Sequence, residues 1–261
     1  MARMIGHILA TLLPVFLITG CGAAYGRYRT PDIRSLNTLN MELFVPLLVF
    51  AVLADRQAPL AEYAWLATAA VAVVLGSGIV LLPVAKWLKL DIKTFLPPMM
   101  FNNSGNMGVP LLVLAFGPDA LPAAVVVFIV EMLLHFSVGL YMLNPRTSLW
   151  RMLRMPIVLA SLAGLAVNTS GLPLPGWLLE AMRMLGEVCI PLMLFALGVR
   201  LLEIDFSDWR TGVLGAVLCP LSGLVIALPL MWLLPLNDMQ MAVLLVFAAL
   251  PPAVLNYLVA E

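Results

Sequence analysis

Charged side chains are scarce in this chain: Asp, Glu, Lys and Arg make up 11% of its 261 residues, against about 25% in soluble proteins. Hydrophobic residues make up 63%, and the mean hydropathy is +1.05. The formal net charge is zero and no long charged run is present, which argues against a nucleic-acid partner. This composition predicts an all-α integral membrane protein in contact with the lipid bilayer.

Cysteine and histidine are scarce as well. The cysteines are Cys21, Cys189 and Cys219, and the histidines are His7 and His135. They form no spacing typical of a disulfide framework or a metal site, and the sequence has no serine-hydrolase or metalloprotease motif. We therefore expect no metal site, no cofactor and no enzymatic activity.

Apolar stretches long enough to cross a bilayer dominate the chain. Residues 18–21 resemble a lipoprotein cleavage box, but apolar sequence continues beyond them, so a first transmembrane helix is the better interpretation. Eleven of the fourteen Lys and Arg residues fall in the loops that follow odd-numbered spans, which predicts an outward N-terminus. The nine predicted spans lie near residues 5–25, 36–54, 62–87, 95–116, 119–143, 152–171, 175–201, 211–234 and 238–260.

The fourth span contains a polar break over residues 101–110. A helix that stops at membrane depth exposes backbone groups that lipid cannot satisfy, so such a segment is buried in protein or lines a cavity. Gly105, Gly108 and Pro110 shape the break, with Pro110 suited to the first turn of a new half-helix. The residues that bring donors and acceptors, and that we predict to bind substrate, are Asn102, Asn103, Ser104 and Asn106.

The two halves of the chain, 1–145 and 146–261, align as a repeat. Residues 45–51 match 190–196, Glu42 falls on Glu187, and Gly22 falls on Gly164. The break in span 4 then falls opposite Pro251, Pro252 and Asn256 in span 9. A unit of five spans is odd, so the two copies insert in opposite directions, as in inverted-repeat transporters. The second repeat lacks a tenth span that would match span 5 of the first repeat. Either the chain is truncated, or a partner supplies the surface that span 5 provides in the first repeat.

The paired segments at residues 103–110 and 251–257, together with residues 39–46, resemble the auxin efflux carrier family, which includes bacterial permeases for malonate and malate. The resemblance implies ten helices in two inverted repeats, an elevator-type displacement and a homodimer. It also implies that helices 4 and 9 cross at their broken centres. Asn103, Asn106 and Asn256 would then lie nearest to the substrate, while Pro110, Pro251 and Pro252 shape the crossing.

Carboxylates within spans are candidates for ion coupling, by H⁺ or Na⁺. Glu42 and Glu187 each precede a symmetry-related proline by four residues. The alternative to a role in coupling is a structural one: Glu42 would lie at the membrane interface, and Glu187 would pair with Arg183. Glu131 and His135 are spaced as a helical i, i+4 pair, which suits either a proton relay or a structural contact.

These features predict a secondary active transporter of small organic anions, mono- or dicarboxylates, in a bacterial inner membrane. Amides and half-helix N-termini suit weak, reversible anion binding, with Arg183 as a possible helper. The alternatives are a sodium-coupled carrier of the bile-acid type and a non-transporting sensor or assembly subunit.

Overall fold

The structure is a computed structural model that describes residues 2–55, 60–144, 150, 153–203 and 209–253. These residues form helices joined by short loops, and no β-strand occurs among them. The prediction of an all-α membrane protein is confirmed.

Six of the described helical segments are long and apolar enough to cross a membrane. Three shorter apolar helices lie at the positions of the remaining predicted spans, and the total of nine spans stays a prediction. The six long segments are Leu9–Tyr28, Ile33–Ala54, Ala61–Trp87, Pro118–Leu143, Gly176–Glu203 and Gly212–Leu233. The three shorter ones are Ser104–Phe116, Pro156–Ser170 and Asp238–Ala248.

The chain folds into two compact units, each of which takes segments from both halves of the sequence. The first consists of Met1–Leu60, Gly105–Val125 and Leu153–Asp205. The second consists of Ala61–Ser104, Val126–Met152 and Phe206–Glu261. These units are a different division from the predicted repeats 1–145 and 146–261, which stay a prediction.

The first unit is a bundle in which the helix of span 1 packs on that of span 7, and the helix of span 2 packs on that of span 6. Its α-helices are α1 (Ala2–Tyr28), α2 (Ile33–Leu39), α3 (Val45–Ala54), α6 (Val109–Phe116), α9 (Pro156–Ser170), α10 (Gly176–Glu187) and α11 (Cys189–Arg200). A π-helical turn, Asn40–Phe44, joins α2 to α3, and a 3₁₀ turn, Leu201–Glu203, follows α11.

Two glycines of this unit allow close helix contacts. A Cβ atom at Gly22 of α1 would overlap the carbonyl oxygen of Phe195 on α11. A Cβ atom at Gly164 of α9 would lie 3.1 Å from the carbonyl oxygen of Phe50 on α3. Small residues let membrane helices approach until their backbones touch. These contacts involve the pairs of positions that the repeat alignment equates, Gly22 with Gly164 and Phe50 with Phe195.

The second unit has its own helical core. Its α-helices are α4 (Ala64–Trp87), α5 (Ile92–Met100), most of α7 (Leu121–Leu134), α8 (Leu140–Leu143), α12 (Trp209–Leu233) and α13 (Asp238–Ala248). Other short turns among the described residues are the 3₁₀ turns Leu60–Tyr63 and Pro118–Ala120 and the π-helical turns Ser104–Gly108 and His135–Gly139. Helix α4 packs on both α5 and α12, and α12 packs on α13.

The half-helices α5 and α13 begin in the same way. The Asp91 side chain accepts a hydrogen bond from the backbone N–H of Thr94 at 3.0 Å, and the Asn237 side chain accepts one from Gln240 at 2.8 Å. An N-cap of this kind satisfies one of the N–H groups that the first turn of a helix leaves unpaired. Both half-helices therefore start at a fixed residue and run from there to an interruption.

Candidate functional site

The break in span 4 is shorter than the sequence predicts. Helix α5 ends at Met100, and Phe101 has extended backbone angles, φ −103° and ψ 105°. The chain becomes helical again at Ser104 as a π-helical turn, Ser104–Gly108, which leads into α6. Only residues 101–103 leave helical geometry. The wide turn keeps the backbone of this Gly- and Asn-rich stretch hydrogen-bonded, which a buried segment requires.

The predicted shaping residues lie at or after that turn. Pro110 is the second residue of α6, which continues directly from the π-helical turn. Gly105 and Gly108 lie within the π-helical turn, as does the half-buried Asn106. The boundary between the two units falls between Ser104 and Gly105, so these residues are assigned to the first unit.

A second interruption follows α13, which ends at Ala248. Residues 250–253 have no helical geometry, and they include Pro251 and Pro252, which lack a backbone N–H. Asn256, the remaining predicted substrate ligand, lies outside the residues that the structure describes. The structure therefore describes this interruption only as far as Ala253.

The two interruptions are joined by backbone hydrogen bonds within the second unit. The N–H of Asn103 donates to the carbonyl of Pro251 at 2.8 Å, and the N–H of Ala253 donates to the carbonyl of Phe101 at 3.0 Å. Asn102 and Pro252 thereby face each other as an isolated antiparallel bridge. Neither bond uses the nitrogen of Pro252, so a proline fits at this position. We call residues 101–104 and 250–253 the junction.

The Asn102 side chain ties the junction to the end of α13. Its amide nitrogen donates to the main-chain carbonyl of Phe247 at 2.6 Å, and the residue is 5% exposed. The same carbonyl also accepts from the backbone N–H of Leu250 at 3.3 Å, so the Asn102 amide is its second donor. The side-chain oxygen of Asn102 is buried without a hydrogen-bond partner. The geometry thus gives the Asn102 amide nitrogen a structural role, while its side-chain oxygen remains an unused acceptor.

Helix α12 contributes two further contacts to the same end of α13. The Cys219 thiol donates to the carbonyl of Leu250 at 3.6 Å. A Cβ atom at Gly223 would overlap the carbonyl oxygen of Ala248, so only glycine allows this approach. Neither residue could be recognised from the sequence as a support of the junction, because both lie in an apolar stretch without a motif.

Ser104, Glu131 and His135 lie together at the junction. The Ser104 hydroxyl donates to Glu131 Oε2 at 2.8 Å, and Glu131 Oε1 lies 3.6 Å from His135 Nδ1. The three residues are 2%, 5% and 7% exposed. The ring of Phe101 stacks on the imidazole with centroids 4.5 Å apart. The sequence predicted the contact between Glu131 and His135 but not the one with Ser104.

The other two candidate carboxylates are exposed residues of the first unit. Glu42 lies in the π-helical turn that precedes α3, and Glu187 is the last residue of α10. The alternative pair between Glu187 and Arg183 is wrong, because Arg183 instead lies 3.3 Å from Asp55. The Asn168 side chain donates to the backbone carbonyl of Asp55 at 2.8 Å.

The structure therefore brings together part of the predicted site. Within the second unit it assembles the residues Asn102, Asn103, Ser104, Pro251, Pro252, Glu131 and His135. In the part of the chain that the structure describes, no three His, Cys, Asp or Glu side chains are placed to hold a metal ion.

Long apolar helices and an interrupted pair that buries polar groups define a multi-pass membrane protein. A family model described as "Membrane transport protein" matches residues 7–149 and 146–261. The chain belongs to this family, which is that of the auxin efflux carriers, so the resemblance seen in the sequence is confirmed. It is a membrane transporter. No curated protein sequence matches the chain.

Proposed function

We propose that this chain is a secondary active transporter of small organic anions, mono- or dicarboxylates, that bind at the junction. It lies in a bacterial inner membrane as a homodimer with an outward N-terminus. Transport follows an elevator-type displacement of the domain that carries the site, as the family resemblance implies.

The junction is the observation that carries this proposal. The helix that starts at Ser104 runs to Phe116, and the first N–H groups of a helix have no partner within it. These groups carry the positive end of the helix dipole, which attracts carboxylates. The side chains nearest in sequence are amides and a hydroxyl, which hold an anion less firmly than an arginine clamp does. Weak binding of this kind suits a carrier, because the substrate must also leave.

A sodium-coupled carrier is the second candidate, and one observation favours it. The side-chain oxygen of Asn102 and Glu131 Oε1 are buried acceptors without a hydrogen-bond donor. Oxygen acceptors of this kind are what a small cation requires. The two candidates differ in whether substrate binding depends on Na⁺.

Thermal unfolding of the purified full chain in detergent tests the proposal. Malonate, malate, acetate and lactate serve as probes, each with and without Na⁺ and at two pH values. A ligand at a hundredfold excess over its Kd stabilises the native state by about 2.7 kcal/mol. We expect malonate or malate to stabilise the protein. The absence of stabilisation by every acid, in folded protein, would contradict the proposal.

Three asparagine variants locate the binding site. Asn103→Ala and Asn106→Ala should unfold cooperatively but lose the stabilisation by the acid. Asn37→Ala, on α2, is the matched control and should keep it. An unchanged response in both Asn103→Ala and Asn106→Ala would mean that these amides serve helix packing only.

A further inference from the structure

We propose that Ser104, Glu131 and His135 form a proton-binding site and that proton uptake there promotes anion binding at the junction. This inference rests on the proposed function, since it assigns the coupling ion of the same transport reaction. It concerns one compact unit, because all three residues belong to the second.

The Glu131 carboxylate is incompletely paired in a buried place. Oε2 accepts the Ser104 hydroxyl at 2.8 Å, whereas Oε1 is buried with no hydrogen-bond partner. His135 Nδ1, at 3.6 Å from Oε1, is just beyond hydrogen-bond distance. A buried carboxylate is unfavourable unless its oxygens are paired. Uptake of one proton relieves this cost, because it either neutralises the carboxylate or gives it a cationic partner in His135.

The proton balance is simple. A carboxylate with a neutral imidazole carries one negative charge, and uptake of one proton from water makes the pair neutral overall. The proton then lies on Glu131, which donates to the imidazole, or on His135, which donates to the carboxylate. Either arrangement satisfies Oε1, and both remove the net negative charge. Release of the proton to water restores the starting state.

The described side chains that contact this pair carry no charge. Ser104 faces it from the junction, and Phe101 covers the imidazole. The Cys219 thiol of α12 is engaged with the carbonyl of Leu250. The other titratable groups described in this unit lie at or near helix ends, and no ion pair or hydrogen bond is described between them and Glu131: Glu62, Tyr63, Lys86, Lys89, Asp91, Lys93, Tyr141 and Asp238.

Ser104 links this site to the proposed anion site. It is the first residue of the half-helix whose N-terminus is proposed to bind the anion, and it follows Asn103 directly. A negative Glu131 repels an anion at that helix end, and a protonated one does not, so the proton and the anion favour each other's binding. If one proton accompanies each anion, the affinity rises about tenfold for each unit of decreasing pH.

Infrared titration of the wild-type protein in detergent detects the proton directly, without a substrate. As the pH is lowered we expect a carboxylic-acid C=O band or, with the proton on His135, an imidazolium signal to appear. The signal should be absent from Glu131→Gln, which keeps an acceptor for Ser104. It should persist in Glu62→Gln, the matched control in the same unit. Persistence of every titrating signal in Glu131→Gln would overturn the proposal.

A second variant keeps the test valid if Glu131→Gln does not fold. Ser104→Ala removes a donor to the charged carboxylate, so the signal should appear at a higher pH than in the wild type. A titration that stays where it is in Ser104→Ala would contradict the contact on which the proposal depends.

Malonate binding to the wild type and to Glu131→Gln then tests the coupling. The Kd should rise with pH in the wild type and be independent of pH in the variant. Dependence on Na⁺ at constant pH, with no dependence on pH, would overturn proton coupling while leaving anion transport intact. If no acid binds at all, the proposed function fails, and the infrared result still decides whether Glu131 and His135 take up a proton.

Discussion

The side-chain amide of Asn102 donates a hydrogen bond of 2.6 Å to the main-chain carbonyl of Phe247, 145 positions later in the sequence. Through this bond the break in one helix caps the end of the other. Two backbone hydrogen bonds lie beside it, one between Asn103 and Pro251 and one between Ala253 and Phe101. They hold the two segments of the junction in register. Each interruption therefore donates hydrogen bonds to carbonyl groups of the other.

Asn102→Ala should reduce the free energy of unfolding by about 1–3 kcal/mol, because it leaves the buried end of α13 with one donor fewer. Denaturant titration in detergent measures this loss. Asn103→Ala is the control, since its bond to Pro251 comes from the backbone N–H and survives the substitution. Equal losses in the two variants would show that the Asn102 side chain does not support the junction.

Gly22→Ala should destabilise the first unit by about 1–3 kcal/mol, because the added methyl group overlaps the backbone of Phe195 and forces the helices apart. Gly20→Ala is a control in the same helix: nothing lies within 4 Å of its Cβ position. That variant should be neutral or gain up to about 1 kcal/mol from helix propensity. Thermal unfolding of the two purified variants distinguishes them, and a stable Gly22→Ala would contradict the close contact.

The apolar runs and the positions of helix-breaking residues predicted most of the helices. Long apolar runs fix where a chain can span a membrane, and glycine, proline and asparagine within a run mark where a helix stops. The interruptions near residues 101 and 251 were located in this way. The length of the first was overestimated, because glycine and asparagine at residues 105–108 are compatible with a π-helical turn as well as with an irregular loop.

The long-range partners of individual side chains could not be predicted from the sequence. A spacing of four residues predicts the contact between Glu131 and His135, because both lie on one helix face. Ser104 is 27 positions from Glu131, and only the packed fold brings them together. Arg183 is the opposite case, since a local pairing rule suggested Glu187 whereas the fold supplies Asp55. Local geometry can be read from spacing, but long-range contacts depend on packing.

Gln240→Glu should destabilise the second unit by about 1–3 kcal/mol. The Gln240 side chain accepts from the N–H of Asn237 and donates to the backbone carbonyl of Glu62 at 3.0 Å, and the residue is 2% exposed. A glutamate keeps the first bond but places a second acceptor against the carbonyl of Glu62. Asn237→Ala removes only the capping bond and should cost about 1 kcal/mol. Denaturant titration compares them, and a smaller loss in Gln240→Glu than in Asn237→Ala would contradict the role of the bond to Glu62.

Arg183→Gln decides between a structural ion pair and a substrate contact for this arginine. The Arg183 side chain is 49% exposed and lies 3.3 Å from the Asp55 carboxylate, so the pair should contribute at most about 1 kcal/mol to the free energy of unfolding. The difference between wild type and variant should shrink further at high salt, which screens exposed charges. Because the arginine is already paired, the stabilisation by malonate should be the same in Arg183→Gln and in the wild type. A variant that unfolds normally but no longer responds to malonate would instead place Arg183 in contact with the anion, and the amides at the junction would then not be sufficient to bind it.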